Sequence, residues 1–166
     1  MPILLVGGGS RSGKSSYALQ LAAERGARKG FIATAQTFDD EMRERVRLHR
    51  EERGSDYTTI EEPVAIEKAL AELETKVDVI VLDCLTLWLS NLMLGEHKVD
   101  ITKVLDRFAA SPLPCILITN EVGCGIVPEN PLARRFRDEA GRLNQQTAAR
   151  ATEVYGVMFG IPLRLK

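Results

Sequence analysis

The chain has 166 residues, 45% of them hydrophobic, and its 22 basic and 23 acidic residues give a net charge of −1. This length and composition predict one domain, residues 1–166, with a core between a sheet and helices. The mixed charge and the aromatic content of only 5% argue against nucleic acid or an anionic membrane surface as a partner. The sequence shows no signal segment and no apolar run of bilayer length, so a cytoplasmic protein without membrane insertion is expected.

The three cysteines give no sign of a disulfide framework or a metal site. Cys84, Cys115 and Cys124 form no CxxC pair and do not have the spacing of metal ligands. Reduced thiols, some of them in the core, are therefore expected.

Short apolar runs rich in β-branched residues alternate along the chain with amphipathic helical stretches. This alternation predicts an α/β fold with a mainly parallel sheet that helices cover on both faces. Strands are predicted at residues 3–6, 31–33, 57–60, 79–82, 116–119 and 154–159, and residues 161–165 can turn back as an antiparallel edge strand. Helices are predicted at residues 14–24, 39–53, 63–73, 85–94, 101–109 and 131–151, with Pro63 and Pro131 in first turns.

A glycine-rich stretch lies between the first predicted strand and the first predicted helix. It fits the phosphate-binding pattern G-x-x-x-x-G-K-[ST], in which glycines let backbone N–H groups surround an anion and the helix directs its positive end toward it. In this pattern Lys14 reaches the β- and γ-phosphates and Ser15 holds Mg²⁺. A glycine-rich surface turn is the alternative, but the flanking strand and helix favour a nucleotide site. The candidate residues are Gly8, Gly9, Ser10, Arg11, Ser12, Gly13, Lys14 and Ser15.

An acid follows the apolar strand predicted at residues 79–82. Asp83 alone would suggest a helix cap, but with the phosphate loop upstream it becomes a candidate for ordering the magnesium shell. Cys84 stands where many motor ATPases carry a second carboxylate, which disfavours a helicase or transport motor. The segment 120–123 lacks the Lys and the Asp of the guanine-reading NKxD motif, which disfavours a signalling GTPase.

The charged stretch at residues 39–53 contains His49, one of the two histidines in the chain. A helix of this composition is usually a solvated face, on which His49 would be a bystander. The alternative is catalytic, because a neutral imidazole can attack a phosphorus atom. Arg45, Arg50 and Arg53 lie at neighbouring helical offsets and can neutralise phosphates around the imidazole.

These three features, in this order, resemble one family: the bifunctional adenosylcobinamide kinase / adenosylcobinamide-phosphate guanylyltransferase of cobalamin biosynthesis. The resemblance covers essentially the whole chain, and its most specific segment is the run TNEVGCGIVPEN at residues 119–130. It implies a P-loop NTPase fold of the recombinase-like type. It also implies a two-step enzyme, which first phosphorylates the aminopropanol hydroxyl of a corrinoid with ATP or GTP. The enzyme then joins GMP from GTP to the new phosphate and releases pyrophosphate.

The resemblance also implies roles for particular residues. In the family the guanylyl group passes through a histidine as a phosphoramidate, and the matching position here is His49. Lys14, Mg²⁺ and the arginines would stabilise charge on the phosphate oxygens, with Ser15 and Asp83 as the magnesium contacts. Further nucleotide contacts fall at Ala33, Thr34, Ala35, Arg50, Glu51, Glu52, Arg53, Glu61 and Asp83.

The chain departs from the family pattern at several positions. Leu48 precedes His49 where a member of the family has a second histidine, so any helper role of that histidine is absent. Asp83 is a glutamate in some relatives, and the segment 94–100 is short, which bears on corrinoid contacts or subunit packing. Family members are homotrimers, so a homo-oligomer is implied, and the apolar segment 85–89 suits a subunit interface and the core equally well.

Two other functions stay open on the residues alone. A P-loop kinase for another small metabolite would leave His49 a bystander and would phosphorylate its substrate without forming a covalent nucleotide. A recombinase-like ATP-binding module would bind DNA or a partner protein in a nucleotide-dependent way, which the balanced charge and scarce aromatics oppose.

Overall fold

The computed structural model of the chain describes residues 3–36, 47 and 56–166. Its strands are β1 (Ile3–Gly8), β2 (Lys29–Ala33), β3 (Tyr57–Glu61), β4 (Val79–Asp83), β5 (Cys115–Asn120), β6 (Ala151–Met158) and β7 (Ile161–Arg164). Its helices are α1 (Lys14–Arg25), α2 (Ile66–Leu73), α3 (Leu85–Leu94), α4 (Ile101–Ala109) and α5 (Pro131–Arg150). The predicted helix at residues 39–53 falls outside the described residues, apart from Arg47.

The strands form one sheet in the order β3-β2-β4-β5-β1-β6-β7. All neighbouring strands are parallel except β6 and β7, which pair antiparallel. The predicted α/β class and the antiparallel edge strand are therefore confirmed. Because the strands of the parallel part run in the same direction, the loops that follow them gather along one edge of the sheet, which is where ligands bind in open α/β folds.

The core lies on both faces of the sheet, as the continuous apolar strands predict. Successive residues of β1 alternate between the two faces: Leu4 and Val6 pack with α1, and Ile3 and Leu5 pack with the other helices. The buried thiols of Cys84 and Cys115 belong to these clusters. The expectation of helices on both faces is correct, with α1 on one face and α2 to α5 on the other.

Two predicted starts differ from the structure by three residues. Helix α2 does not begin at Pro63 but at Ile66. The Glu62 carboxylate accepts hydrogen bonds from the Val64 and Ala65 N–H groups, both at 2.9 Å, and holds these residues in a bend that precedes the helix. Strand β6 begins at Ala151, three residues before the predicted start, directly after the last residue of α5.

The apolar segment 85–89 belongs to the core. Leu85 and Trp88 are fully buried and Leu89 is 3% exposed. The Trp88 indole donates its N–H to the Val64 carbonyl at 2.8 Å, so its polar edge is satisfied inside the protein. Among the described residues, no helix is both long enough and apolar enough to pass through a bilayer.

One ion pair gives the fold a specific pH dependence. Glu74, just after α2, accepts hydrogen bonds from the Arg107 guanidinium and from the Ser111 hydroxyl, the latter at 2.7 Å. The bond from Arg107 lowers the pKa of Glu74 below its ordinary 4.5, although burial acts in the opposite direction. A carboxyl whose pKa is lower in the folded state stabilises the fold above its unfolded pKa, and this contribution disappears as the pH falls through the folded value.

Glu74→Gln is therefore expected to lower the free energy of unfolding by about 1 kcal/mol at pH 7, allowing for the partly exposed Arg107. The difference from wild type should shrink as the pH falls below 4.5. Urea unfolding at a series of pH values measures this difference in the free energy of unfolding. Glu72→Gln is the matched control, since Glu72 is exposed and forms an ion pair with the exposed Lys76 nearby in the chain. A Glu74→Gln defect that stays constant over this pH range would contradict the assignment.

Candidate active site

The glycine-rich loop connects the carboxyl end of β1 directly to α1. Strand β1 ends at Gly8, and α1 begins at Lys14 with Gly13 as its N-terminal cap residue. Gly13 has a φ of +94°, in the left-handed region that favours glycine. A Cβ at Gly8 would lie 2.5 Å from the Ser12 hydroxyl oxygen and 2.6 Å from the Val157 carbonyl oxygen. The two glycines therefore allow a turn too tight for side chains.

Within the described part of the chain, no side chain caps the first turn of α1. Helix α2 is also uncapped, whereas the Cys84, Asp100 and Asn130 side chains cap α3, α4 and α5. The Ser12 hydroxyl is buried and has no hydrogen-bond partner among the described residues. Uncapped N–H groups at the positive end of a helix, next to an unsatisfied hydroxyl, fit an anion such as phosphate.

Lys14 brings a positive charge to the same loop. Its ammonium group donates a hydrogen bond to the Gly9 carbonyl oxygen at 3.1 Å, so the side chain folds back over the loop. A lysine in this position can exchange part of that contact for phosphate oxygens, as expected for the lysine of this motif.

The ends of three strands place other predicted site residues along the same edge of the sheet. Ala33 of β2 is in register with Asp83 of β4 and with Glu61 of β3. Strand β5 lies between β4 and β1, and its last residue, Asn120, is in register with Gly8. The half-buried Asp83 and the exposed Glu61 thus share one edge with the phosphate loop.

Thr34 joins the ends of β2 and β4. Its buried hydroxyl donates to the Cys84 carbonyl at 2.9 Å and accepts from the Cys84 N–H at 2.8 Å, and its own N–H donates to the Asp83 carbonyl at 3.1 Å. Asn91 donates to the Thr34 carbonyl at 2.8 Å. The Thr34 hydroxyl therefore fixes Asp83 relative to Ala33 and Ala35, while its predicted contact with a nucleotide stays a prediction.

Cys84 is a structural residue in this arrangement. Its sulfur accepts a hydrogen bond from the Leu87 N–H at 3.4 Å and caps α3. Burial raises the pKa of the thiol to about 12, so it stays protonated at neutral pH. The side chain after Asp83 therefore supplies neither a carboxylate nor a thiolate base.

A polar network under the end of β5 was not found by sequence reasoning. The Thr86 hydroxyl accepts from the Asn120 N–H at 2.7 Å and lies 3.2 Å from the Thr119 hydroxyl. Thr119 in turn donates to the Asn144 side-chain oxygen at 2.7 Å. The Glu121 N–H donates to the Gly8 carbonyl at 3.0 Å, which joins the segment 119–130 to the phosphate loop. The available signal was Thr86, a buried polar residue in the first turn of the mostly apolar helix α3.

The remaining predicted site residues lie outside the described residues. They are His49, Arg50, Glu51, Glu52 and Arg53. Their place relative to the phosphate loop stays a prediction.

A separate cavity of about 740 Å³ lies between α3, α4 and α5. Its lining includes Leu94, Glu96, His97 and Val99 from the short segment 94–100, together with Arg135 of α5. None of the predicted nucleotide contacts that the structure describes lines it.

The loop between β1 and α1, with Asp83 at the end of β4 on the same edge of the sheet, defines a P-loop nucleotide-binding protein. Solved structures share this fold. The RadB recombinase matches with a TM-score of 0.54 and 17% identity over 93% of this chain and 73% of that chain. The flagellar accessory protein FlaH from Methanocaldococcus jannaschii matches with a TM-score of 0.57 and 15% identity over 99% of this chain and 78% of that chain.

Sequence comparison narrows the class to one family. The family model described as cobinamide kinase / cobinamide phosphate guanyltransferase matches residues 4–165. The bifunctional adenosylcobalamin biosynthesis protein CobP of Pseudomonas aeruginosa is 42% identical, over 98% of this chain and 96% of the relative. The corresponding CobU protein of Escherichia coli (strain K12) is 37% identical, over 99% of both. The chain belongs to the cobinamide kinase / cobinamide phosphate guanyltransferase family, so the expected family and the expectation of an enzyme are confirmed.

Proposed function

We propose that this chain carries out two successive reactions on a corrinoid. It phosphorylates the side-arm hydroxyl of adenosylcobinamide with ATP or GTP, and it then joins GMP from GTP to that phosphate. The observation that carries this proposal is the family match over residues 4–165. The phosphate loop and the strand ends beside it support the proposal, because both reactions need a site for a triphosphate. One domain, residues 1–166, would carry both reactions.

The kinase step uses the phosphate loop. The N–H groups at the start of α1 and the Ser12 hydroxyl would hold phosphate oxygens, and Lys14 would neutralise charge as the γ-phosphoryl group transfers. The loop backbone from Gly8 to Gly13 is held in a tight turn, so its donors need little rearrangement to receive the anion.

Ser15 and Asp83 fit a hard divalent cation. Both side chains offer oxygen atoms, both are half-buried, and both belong to elements that meet at the carboxyl edge of the sheet. Bound Mg²⁺ would neutralise charge on the β- and γ-phosphates. Thr34 would support this role indirectly, through its hydrogen bonds to Asp83 and Cys84.

The guanylyl transfer needs a nucleophile, and the proposed one is His49. Its imidazole nitrogen would form a bond to the α-phosphorus of GTP as the bond to the β-phosphate oxygen breaks and pyrophosphate leaves. An oxygen of the corrinoid phosphate would then displace the imidazole. Arg50 and Arg53, with Ala33, Thr34, Ala35, Glu51, Glu52 and Glu61, are the further nucleotide contacts that we propose from the family resemblance.

Two broader properties also remain proposals. The homotrimer of the family resemblance is proposed for this chain, and so is a cytoplasmic location. No nucleic acid is needed as a partner for either reaction.

The test is to follow a corrinoid through both steps. Purified protein with Mg²⁺, ATP and adenosylcobinamide should add one phosphate to the corrinoid, and GTP added afterwards should convert that product to the GDP derivative. Chromatography with mass spectrometry distinguishes the three species. Phosphorylation of another small metabolite in place of the corrinoid would favour the simpler kinase, and no corrinoid product at all would contradict the proposal.

A further inference from the structure

The turn between β6 and β7 contains an aromatic residue in a backbone conformation that is unfavourable for it. The two-residue connection is Phe159-Gly160, and both residues have positive φ values, +55° and +78°. A hairpin turn of this kind favours Asn-Gly, because a bulky side chain in the left-handed region is strained. The Phe159 ring is also 90% exposed, so packing in the core does not explain it. An exposed aromatic side chain at a strained position points to a role outside the fold.

The same turn is fixed against the phosphate loop. The Gly160 N–H donates to the Ser12 carbonyl oxygen at 2.8 Å. A Cβ built on Gly13 would lie 3.0 Å from the Gly160 Cα atom, which shows how closely the two backbones approach. Below the turn, the Tyr17 ring of α1 meets the Tyr155 ring of β6 edge-on, with centroids 5.2 Å apart. Phe159 is therefore held beside the phosphate loop on a rigid hairpin.

The sheet order gives the two sides of the phosphate loop different partners. Strand β1 has β5 and then β4, with Asp83, on one side, and β6 and β7 on the other. Asp83 is a proposed magnesium contact, and Mg²⁺ there would neutralise charge on the β- and γ-phosphates, so those phosphates would lie toward β4. The nucleoside of a nucleotide bound in this orientation would leave the loop on the opposite side, toward the β6–β7 turn.

We propose that Phe159 stacks against the base of the donor nucleotide in the kinase step. The proposal rests on the proposed function, since it takes the phosphate loop to hold the donor's triphosphate. Stacking on an aromatic ring tolerates different bases, because every base presents a π-face. Such a contact suits a kinase that accepts ATP or GTP.

The experiment compares a nucleotide with a ligand that lacks a base. Isothermal titration calorimetry with Mg²⁺ measures binding of ATP and of inorganic tripolyphosphate to wild type, Phe159→Ala and Phe159→Tyr. Phe159→Ala is expected to weaken ATP binding about 10-fold, as loss of one aromatic stack predicts. It should change tripolyphosphate binding by less than about twofold, and Phe159→Tyr should bind both ligands as wild type does. Leu163→Ala is the matched control, because Leu163 is a 64% exposed apolar residue of the same hairpin.

Three results would overturn the stacking role. Unchanged ATP affinity in Phe159→Ala would remove it, and so would an equal loss of ATP and tripolyphosphate binding, which would indicate a disturbed loop. A change in the oligomeric state of Phe159→Ala on size-exclusion chromatography, with ATP affinity unchanged, would make the residue an interface contact. Wild-type protein that binds neither ligand would contradict the proposed function itself. This result distinguishes failure of the proposed function from failure of the stacking role.

Discussion

His49→Ala is expected to abolish guanylyl transfer and to leave phosphorylation of the corrinoid within about twofold of wild type. The variant lacks the nitrogen that would accept the guanylyl group, whereas the phosphate loop that serves the kinase step is unchanged. The loss in guanylyl transfer should be at least about a thousandfold, as for removal of other covalent nucleophiles. Incubation with Mg²⁺ and GTP labelled at the α-phosphate, followed by denaturation, should leave acid-labile, base-stable label on wild type and none on the variant.

His97→Ala is the matched control for this experiment. His97 is the other histidine of the chain, and it is exposed at the separate cavity beside α3. This variant should take up label as wild type does. Label that persists in His49→Ala would remove His49 from the mechanism, and absence of label on wild type despite GTP binding would leave at most a kinase.

Lys14→Ala is expected to reduce both reactions by about a hundredfold to a thousandfold. Each reaction develops charge on phosphate oxygens in the same loop, and one preorganised charged donor contributes an effect of this size. Lys14 is half-buried and belongs to neither hydrophobic cluster of the core, so the variant should keep its fold. Initial rates of corrinoid phosphorylation and of label uptake from GTP measure the two effects, and circular dichroism checks the fold.

Lys103→Ala provides the comparison for removal of a positive charge. The Lys103 side chain is 84% exposed on α4, on an element that contributes nothing to the phosphate loop. The Lys103→Ala variant should leave the rates of both reactions unchanged. A Lys14→Ala variant that loses only one of the two activities would mean that the reactions use different phosphate sites, and full activity in both would remove Lys14 from the site.

Together the two variants separate the reactions. His49 is needed only where a nucleotide becomes covalently bound, whereas Lys14 is needed wherever a triphosphate is held. If His49→Ala loses only guanylyl transfer and Lys14→Ala loses both activities, the result agrees with a single phosphate loop that serves both steps.

Features that depend on residues close together in the sequence could be predicted. The phosphate loop is a contiguous pattern, and the strand before it and the helix after it have clear hydrophobic periodicity. Helices α3 and α4 begin and end where the apolar pattern places them. Pro63 misled the prediction, because the Glu62 carboxylate bonds the Val64 and Ala65 N–H groups in a bend ahead of α2, which begins at Ile66.

Features that depend on contacts between distant segments could not be predicted. Thr34 was selected as a nucleotide contact, yet its hydroxyl bonds Cys84, 50 residues along the chain. Thr86 and Asn91 are polar residues of a mostly apolar helix. Their partners, the Asn120 N–H and the Thr34 carbonyl, are known only from the tertiary structure. The register of parallel strands decides these pairs, and no local pattern specifies it.

The sequence by itself determined the α/β class, the phosphate loop and the family, because each depends on residue types at fixed spacing along the chain. Only the tertiary structure decided that the segment 85–89 is core and that the Phe159-Gly160 turn lies against Ser12 and Gly13. The physical reason is that hydrophobic periodicity specifies which face of an element is buried, but not which distant element covers it. That choice is made by strand order and by close backbone packing, which exist only in the folded chain.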